Sequence, residues 1–411
     1  MLVIWSITTM AGVVPTSNGN QKLRWKSGAI RISISPSLAR SAPNIKSDSD
    51  VTGAIRRSID AWTAVADISL VQDTSDRLSV SAAGVAGDGV SLISIAATPE
   101  NVLFFGKGDD ATAAKTRVFF NRRGFITEAD IVLSPFQQFS TDGTYGTFDL
   151  EATLKHEIGH LLGLGHSSVV GSMMYDVSAK NGVFGENGLA ASRITQDDIA
   201  AIRDLYGVKA DENCCGVLTG RLTGIAKTTR NIDVWLKEKE TGRVSAHGTT
   251  SRDGNFRIGG LEAGPYEVSV RENGRFAEAS LLQIGDVTID KGSTVSFLRK
   301  LVRQPRNFSV ELLGKNGVLS DSPLKLRRGN AYTLYLGGKN LSSARLQVET
   351  SSPFLIIDVD SIADQAYDGR LSGLSFELTV DGETPSGTYN LCAVSDSGSS
   401  DCIVGGISIV D

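Results

Sequence analysis

The chain has 411 residues, with 41% hydrophobic and 21% charged side chains, a net charge of -5 and four cysteines. At about 150 residues per domain, that length and composition predict two or three folded domains. The near-neutral balance, with no basic cluster interleaved with aromatics, argues against a nucleic-acid surface, and four cysteines are too few for a disulfide scaffold.

Residues 1–14, MLVIWSITTMAGVV, are apolar like the core of a secretory signal, but no Lys or Arg precedes Lys22. The reading is a signal peptide with a truncated or misassigned start, ending near Ala11, within an N-terminal piece covering 1–19 that is otherwise disordered. The alternative is a short buried or frayed strand. This core is too short to span a bilayer. No stable membrane insertion is therefore expected, and the implied location is extracellular. Ala29–Ser35 alternates like a half-buried strand, and Ser49 or Asp50 offers an N-cap to a helix with Ile55, Ile59 and Trp62 on one face. Leu78–Ser81 and Lys115–Phe120 read as further strands, and Glu128–Ser134 pairs back across a turn at Gly124. Val102–Ala111, VLFFGKGDDA, has the look of a dinucleotide loop, but Asp109 and Asp110 would repel a pyrophosphate and no βαβ pattern surrounds it. It reads as a surface loop.

Three of the four histidines fall within HEIGHLLGLGHSSVVGSMMY, His156 to Tyr175. His156 and His160 lie one turn apart on one helix face, roughly opposite the stripe Leu150, Leu154, Ile158 and Leu161. Gly163 suits the left-handed stop that lets the chain turn back, and His166 follows three residues later. Three neutral imidazoles with one open position make a catalytic zinc site rather than a structural one. Glu157 is then placed to take the proton of a water in that position.

HExxHxxGxxH followed by a methionine turn is the signature of the metzincin endopeptidases, and the distance from the third histidine to the turn resembles the matrixins, of bacterial type. The resemblance implies that His156, His160 and His166 hold one zinc ion, that Glu157 is the general base, and that Met174 is the Met-turn residue beneath the metal. It also implies that an extended protein or peptide substrate adds itself along the strand before Gly124. Met173 to Tyr175 satisfies the astacin-like spacing as well, so an alternative gives Tyr175 a fifth-ligand or transition-state role. Asp109 and Asp110 offer a place for the calcium that matrixins often carry; otherwise that loop is simply solvated. Two departures stand out. His247 is the only other histidine, so no second histidine-built zinc site is expected, and Asp176 stands where matrixins place a proline, which puts their primed-side pocket in doubt although the loop Val177–Arg193 is its expected wall.

Thr195–Gly207, TQDDIAAIRDLYG, has a capping-box pattern in Thr195 and Asp198 and an apolar face of Ile199, Ile202 and Leu205; it resembles the last matrixin helix. The expected fold is multidomain. An α+β metzincin catalytic domain, a twisted mixed sheet with three main helices, covers 20–210, and two all-β sandwich domains follow. Residues 211–303 resemble the transthyretin-like sandwich of carboxypeptidase regulatory domains, with Phe256, Ile258, Leu261, Tyr266, Val268 and Val270 pointing inward. Past Pro305, residues 304–411 show about eight short strands at immunoglobulin-like spacing. Cys392 and Cys402 flank a turn-rich stretch and would close a hairpin by a disulfide; adjacent Cys214 and Cys215 form a vicinal bridge or stay as thiols. The implied function is a secreted zinc metalloendopeptidase whose cleft lies wholly in the first domain. The competing reading is a retired peptide-binding adhesion protein; in either reading both β domains are spacers or weak adhesion domains.

Overall fold

The computed structural model describes residues 22–410 except 27, 40–41, 83–86, 106–111, 178, 183, 185–192, 210–213, 225–231, 273–281, 303–305 and 368–370. The N-terminal apolar stretch, Asp109, Asp110 and Pro305 therefore lie outside the described residues. The chain forms two compact units. One draws on the chain up to His166 with residues 178–194 and 205–209, the other on residues 167–177, 195–204 and 210–411.

In the first unit, strands run in the order Arg24–Trp25, Phe125–Leu133, Leu92–Ser94, Ala29–Ile34 and Ser69–Thr74, all parallel, while Ala114–Phe120 lies antiparallel on Phe125–Leu133. The predicted alternation of the strand Ala29–Ile34 appears directly: Ile30, Ile32 and Ile34 are buried between more open neighbours. Asp50 caps the helix Val51–Thr63 by accepting from Gly53 N at 2.9 Å, and Ile55, Ile59 and Trp62 are buried. That face packs on the helix Leu150–Leu161, where Trp62 Nε1 donates to Lys155 O at 2.9 Å and Ser58 Oγ to Glu151 O at 3.1 Å. Gly124, at φ 78°, makes the turn between Ala114–Phe120 and Phe125–Leu133.

Leu78–Ser81 departs from expectation, since it forms no strand. Its backbone is satisfied by side chains instead: Asn101 Oδ1 accepts from Val80 N at 3.0 Å, and Asn101 Nδ2 and Ser94 Oγ donate to Leu78 O at 2.9 and 2.6 Å. A buried amide side chain here does the work of a neighbouring strand.

In the second unit, a sheet of Val244–Thr249, Ile232–Glu238, Gly264–Glu272 and Leu282–Ile289 shares one apolar core with a sheet of Asn255–Glu262, Cys214–Thr223 and Thr294–Lys300. Phe256, Ile258, Leu261, Tyr266, Val268 and Val270 all belong to that core. Further along, nine strands among the described residues make two more sheets, against about eight expected. Cys392 and Cys402 face each other across Gly387–Ser395 and Ser400–Val410, joined by an S–S bond of 2.03 Å. Cys214 and Cys215 are placed as a vicinal pair. No described helix is long and apolar enough to cross a membrane.

Candidate active site

Asp149 starts the helix Leu150–Leu161 by accepting from Ala152 N at 2.8 Å, and Leu150, Leu154, Ile158 and Leu161 are fully buried along its inner face. At the other end Gly163 takes φ +96°, a left-handed conformation that costs a side-chain-bearing residue about 1–2 kcal/mol. Gly163 N and Leu164 N donate to His160 O and Gly159 O, each at 2.9 Å, closing the reversal. A second constraint is space, because a Cβ on Gly163 would sit 2.3 Å from the Leu23 carbonyl oxygen. Gly163→Ala is therefore expected to lower the thermal unfolding temperature and weaken zinc binding together. A parent-like melting curve and zinc content would show that the backbone relaxes there at no cost.

The reversal carries His166 back to the two helical histidines. Ring centroids lie 4.7 Å apart for His156 and His160, 4.8 Å for His160 and His166, and 5.3 Å for His156 and His166. One nitrogen from each ring lies within 4.8 Å of the others. His160 Nδ1 is 2.9 Å from the Leu164 carbonyl, which only a donor satisfies, so Nδ1 carries the proton and Nε2 keeps its lone pair. Burial, reinforced by His156 and His166, holds His160 well below its ordinary pKa; burial and then His156 bring His166 to about 4. Both rings are thus neutral near pH 7, the form that ligates a metal. Three imidazoles with converging nitrogens fit zinc.

Glu157 is 5% exposed, and Thr116, on the strand Ala114–Phe120, donates its hydroxyl to the Glu157 carboxylate. Burial pushes this carboxyl up, against the opposing pull of His156 and of the Thr116 bond. Last-turn carbonyls of the helix are met from afar: Trp25 Nε1 donates to Leu161 O at 2.7 Å and Tyr206 Oη to Leu162 O at 2.6 Å. Sequence reading passed over Thr116, Trp25 and Tyr206, because each acts across at least 41 residues and none belongs to a spaced motif.

Met174 and Tyr175 belong to the second unit. Ser167 N donates to Met174 O at 2.7 Å, closing the loop between them, and Met173 and Met174 are buried. Asp198 holds the turn, accepting from Met173 N at 2.8 Å, Met174 N at 3.0 Å and the Ser172 hydroxyl, as well as from Thr195 N and Oγ1 at 2.8 and 2.7 Å. The capping-box residue thus has a second task. Burial pushes the Tyr175 phenol up to about 12, helped by Asp176 and Asp321. Of the loop Val177–Arg193, Asn181 is tied to Thr147, by N–H to O at 2.7 Å and by Nδ2 to Oγ1 at 3.1 Å; much of the rest lies outside the described residues.

Asp198→Ala would withdraw the acceptor that these donors share. With each of five buried donors left unmet costing about 1–3 kcal/mol, the variant is expected to lose about 4 kcal/mol of stability or more. Chemical denaturation beside the parent measures it, and a loss under about 0.5 kcal/mol would mean the turn holds itself.

Comparison with known proteins bears on this same stretch. Residues 101–207 match the matrixin family model. Metalloendoproteinase 1 of Glycine max is 28% identical over 190 residues, covering 45% of this chain and 53% of that protein. Metalloendoproteinase 2-MMP of Arabidopsis thaliana is 45% identical over 65 residues (16% and 15% of the two chains), and matrilysin of Rattus norvegicus 41% over 70 (17% and 24%). The chain thus spans about half the length of the first of these relatives and less of the other two. Among solved structures, the major pilin subunit of Bacillus cereus aligns over 47% of this chain and 69% of that one at 13% identity, with a TM-score of 0.15, too low to establish a shared fold. The family match and the relatives' names support a zinc metalloendopeptidase of the matrixin kind.

Proposed function

We propose that the protein is a secreted zinc endopeptidase that cleaves internal peptide bonds of proteins. The observation that carries this reading is the convergence of His156, His160 and His166 beside a buried Glu157 held by Thr116. His156, His160 and His166 would hold the metal. When bound, zinc supplies Lewis acidity for the scissile carbonyl and for the attacking water. Glu157 would take the water's proton as the water oxygen adds to the carbonyl carbon, and would then pass that proton to the amine nitrogen as the C–N bond breaks. Its raised carboxyl pKa suits a group that must both accept and release that proton. Thr116 keeps one carboxylate oxygen occupied and so orients the other.

Ala114–Phe120 pairs on one side with Phe125–Leu133 and with no other described strand, which suits it to add an extended substrate through backbone hydrogen bonds. By resemblance Met174 is the Met-turn residue, and calcium near Asp109 and Asp110 is a further assignment of the same kind. In the same reading residues 20–210 are the protease domain, 211–303 a transthyretin-like and 304–411 an immunoglobulin-like sandwich. Digestion of a peptide library tests the proposal. Cleavage at internal bonds that a chelator abolishes and zinc restores is expected. Cleavage indifferent to chelation, or none with zinc present, would overturn it.

A further inference from the structure

His247, on the strand Val244–Thr249, ends against the helix Gln196–Tyr206, and all of the contacts that follow lie within the second unit. Its Nδ1 is 2.8 Å from Asp197 Oδ1. The other oxygen of Asp197 accepts from Ser167 Oγ at 2.6 Å, and Ser167 Oγ in turn accepts from Val169 N at 3.0 Å. Asp197, Ser167 and the His247 side chain are all nearly buried. His247 Nε2 is buried with no hydrogen-bond partner, so the ring's polar contacts are all directed toward Asp197 and Ser167. Leaving a buried ring nitrogen unmet is unfavourable, and the bond to Asp197 is what offsets it.

Ser167 is the residue bonded to His166 in the chain, and its N–H donates to Met174 O. The same loop is gripped at other points: Trp235 Nε1 donates to Ser168 Oγ at 3.1 Å, Val170 N to Val404 O at 2.9 Å, and Val169 packs with Trp235, Val244 and Val404. Gly171 passes so close to the next strands that a Cβ would lie 2.8 Å from Gly405 O.

We propose that His247 is a positioning residue for the zinc site: through Asp197 and Ser167 it fixes the chain that leaves His166, and the β-rich part of the protein thereby sets metal affinity and turnover. This rests on the peptidase reading for its effect on turnover, though not for its effect on metal binding. It also reverses the expectation that the β modules are spacers.

The charges facing His247 are Asp197 and Asp198 from the helix and Asp233 from the neighbouring strand; Ser167 to Ser172 presents no titratable group. Burial lowers the imidazole pKa, but these carboxylates outweigh it and hold His247 above its ordinary value. Burial would likewise raise Asp197, but His247 and Ser167 keep it below its ordinary value. With the folded-state pKa of His247 raised, the ion pair is fully present below the ordinary histidine pKa and fades as pH rises through the folded value.

The test uses the full chain as parent, H247A and H247N, since Asn keeps a donor near the Nδ1 position without titrating. Zinc affinity is measured by chelator competition, and kcat and KM on one peptide, from about pH 5 to about pH 9. H247A is expected to bind zinc roughly 10- to 100-fold more weakly, as when a partner outside the ligand set is lost, and to lose kcat with KM little changed. H247N should recover most of both. The ratio of parent to H247N zinc affinity should fall toward high pH. Should H247A not fold, H247N against the parent carries the comparison through that ratio. Zinc affinity and kcat at the parent level in a folded H247A, even one of lower melting temperature, would overturn the proposal, as would a flat ratio. A parent that binds zinc and cleaves nothing would sink the peptidase reading alone, and the affinity comparison would still decide the role of His247.

Discussion

Glu157→Gln is expected to keep its zinc and lose about 10²- to 10⁴-fold of its cleavage rate, the usual worth of a positioned general base. Gln matches the size of Glu, and its amide oxygen can still accept the hydroxyl of Thr116, so the side chain should stay in place. All three imidazoles remain, and with them the metal. What goes is the group that takes a proton from water. This result would also set aside the adhesion reading, in which the first unit only binds peptide and has no use for a base. Parent-rate cleavage by a zinc-loaded Glu157→Gln would mean that the base lies elsewhere.

His160→Ala should behave differently, losing metal and activity together. The residue supplies one of three nitrogens, and its Nδ1–H to Leu164 O bond also ties the helix to the reversal at Gly163. Two histidines cannot hold zinc as three do, so affinity is expected to fall by more than about 100-fold, beyond the loss typical of an outer partner. Dialysed protein should then contain little zinc by elemental analysis. Full zinc in this variant would place the metal at other ligands.

Much of this site was legible because its logic is local. A turn of helix sets His156 over His160, one glycine reverses the chain, and a short offset returns His166, all within eleven residues. Alternation likewise told which way Phe256, Ile258 and Val268 point, since neighbours two apart share a face. The rest depends on contacts that no spacing encodes. His247 meets Asp197 from 50 residues away, and Thr116 meets Glu157 from 41. Leu78–Ser81 had strand composition, yet the Asn101 side chain took the place of a neighbouring strand. Asp198 was read as a cap from its spacing to Thr195, and its grip on Ser172, Met173 and Met174 emerged only once the turn was folded beside it.

The most direct measurement is the zinc content of the dialysed full chain, with X-ray absorption at the zinc edge reporting its ligands. One zinc per chain is expected, bound by three imidazole nitrogens at about 2.0–2.1 Å with no sulfur in the shell. A chain that holds no zinc, or one whose zinc is bound through sulfur, would contradict the account at its centre.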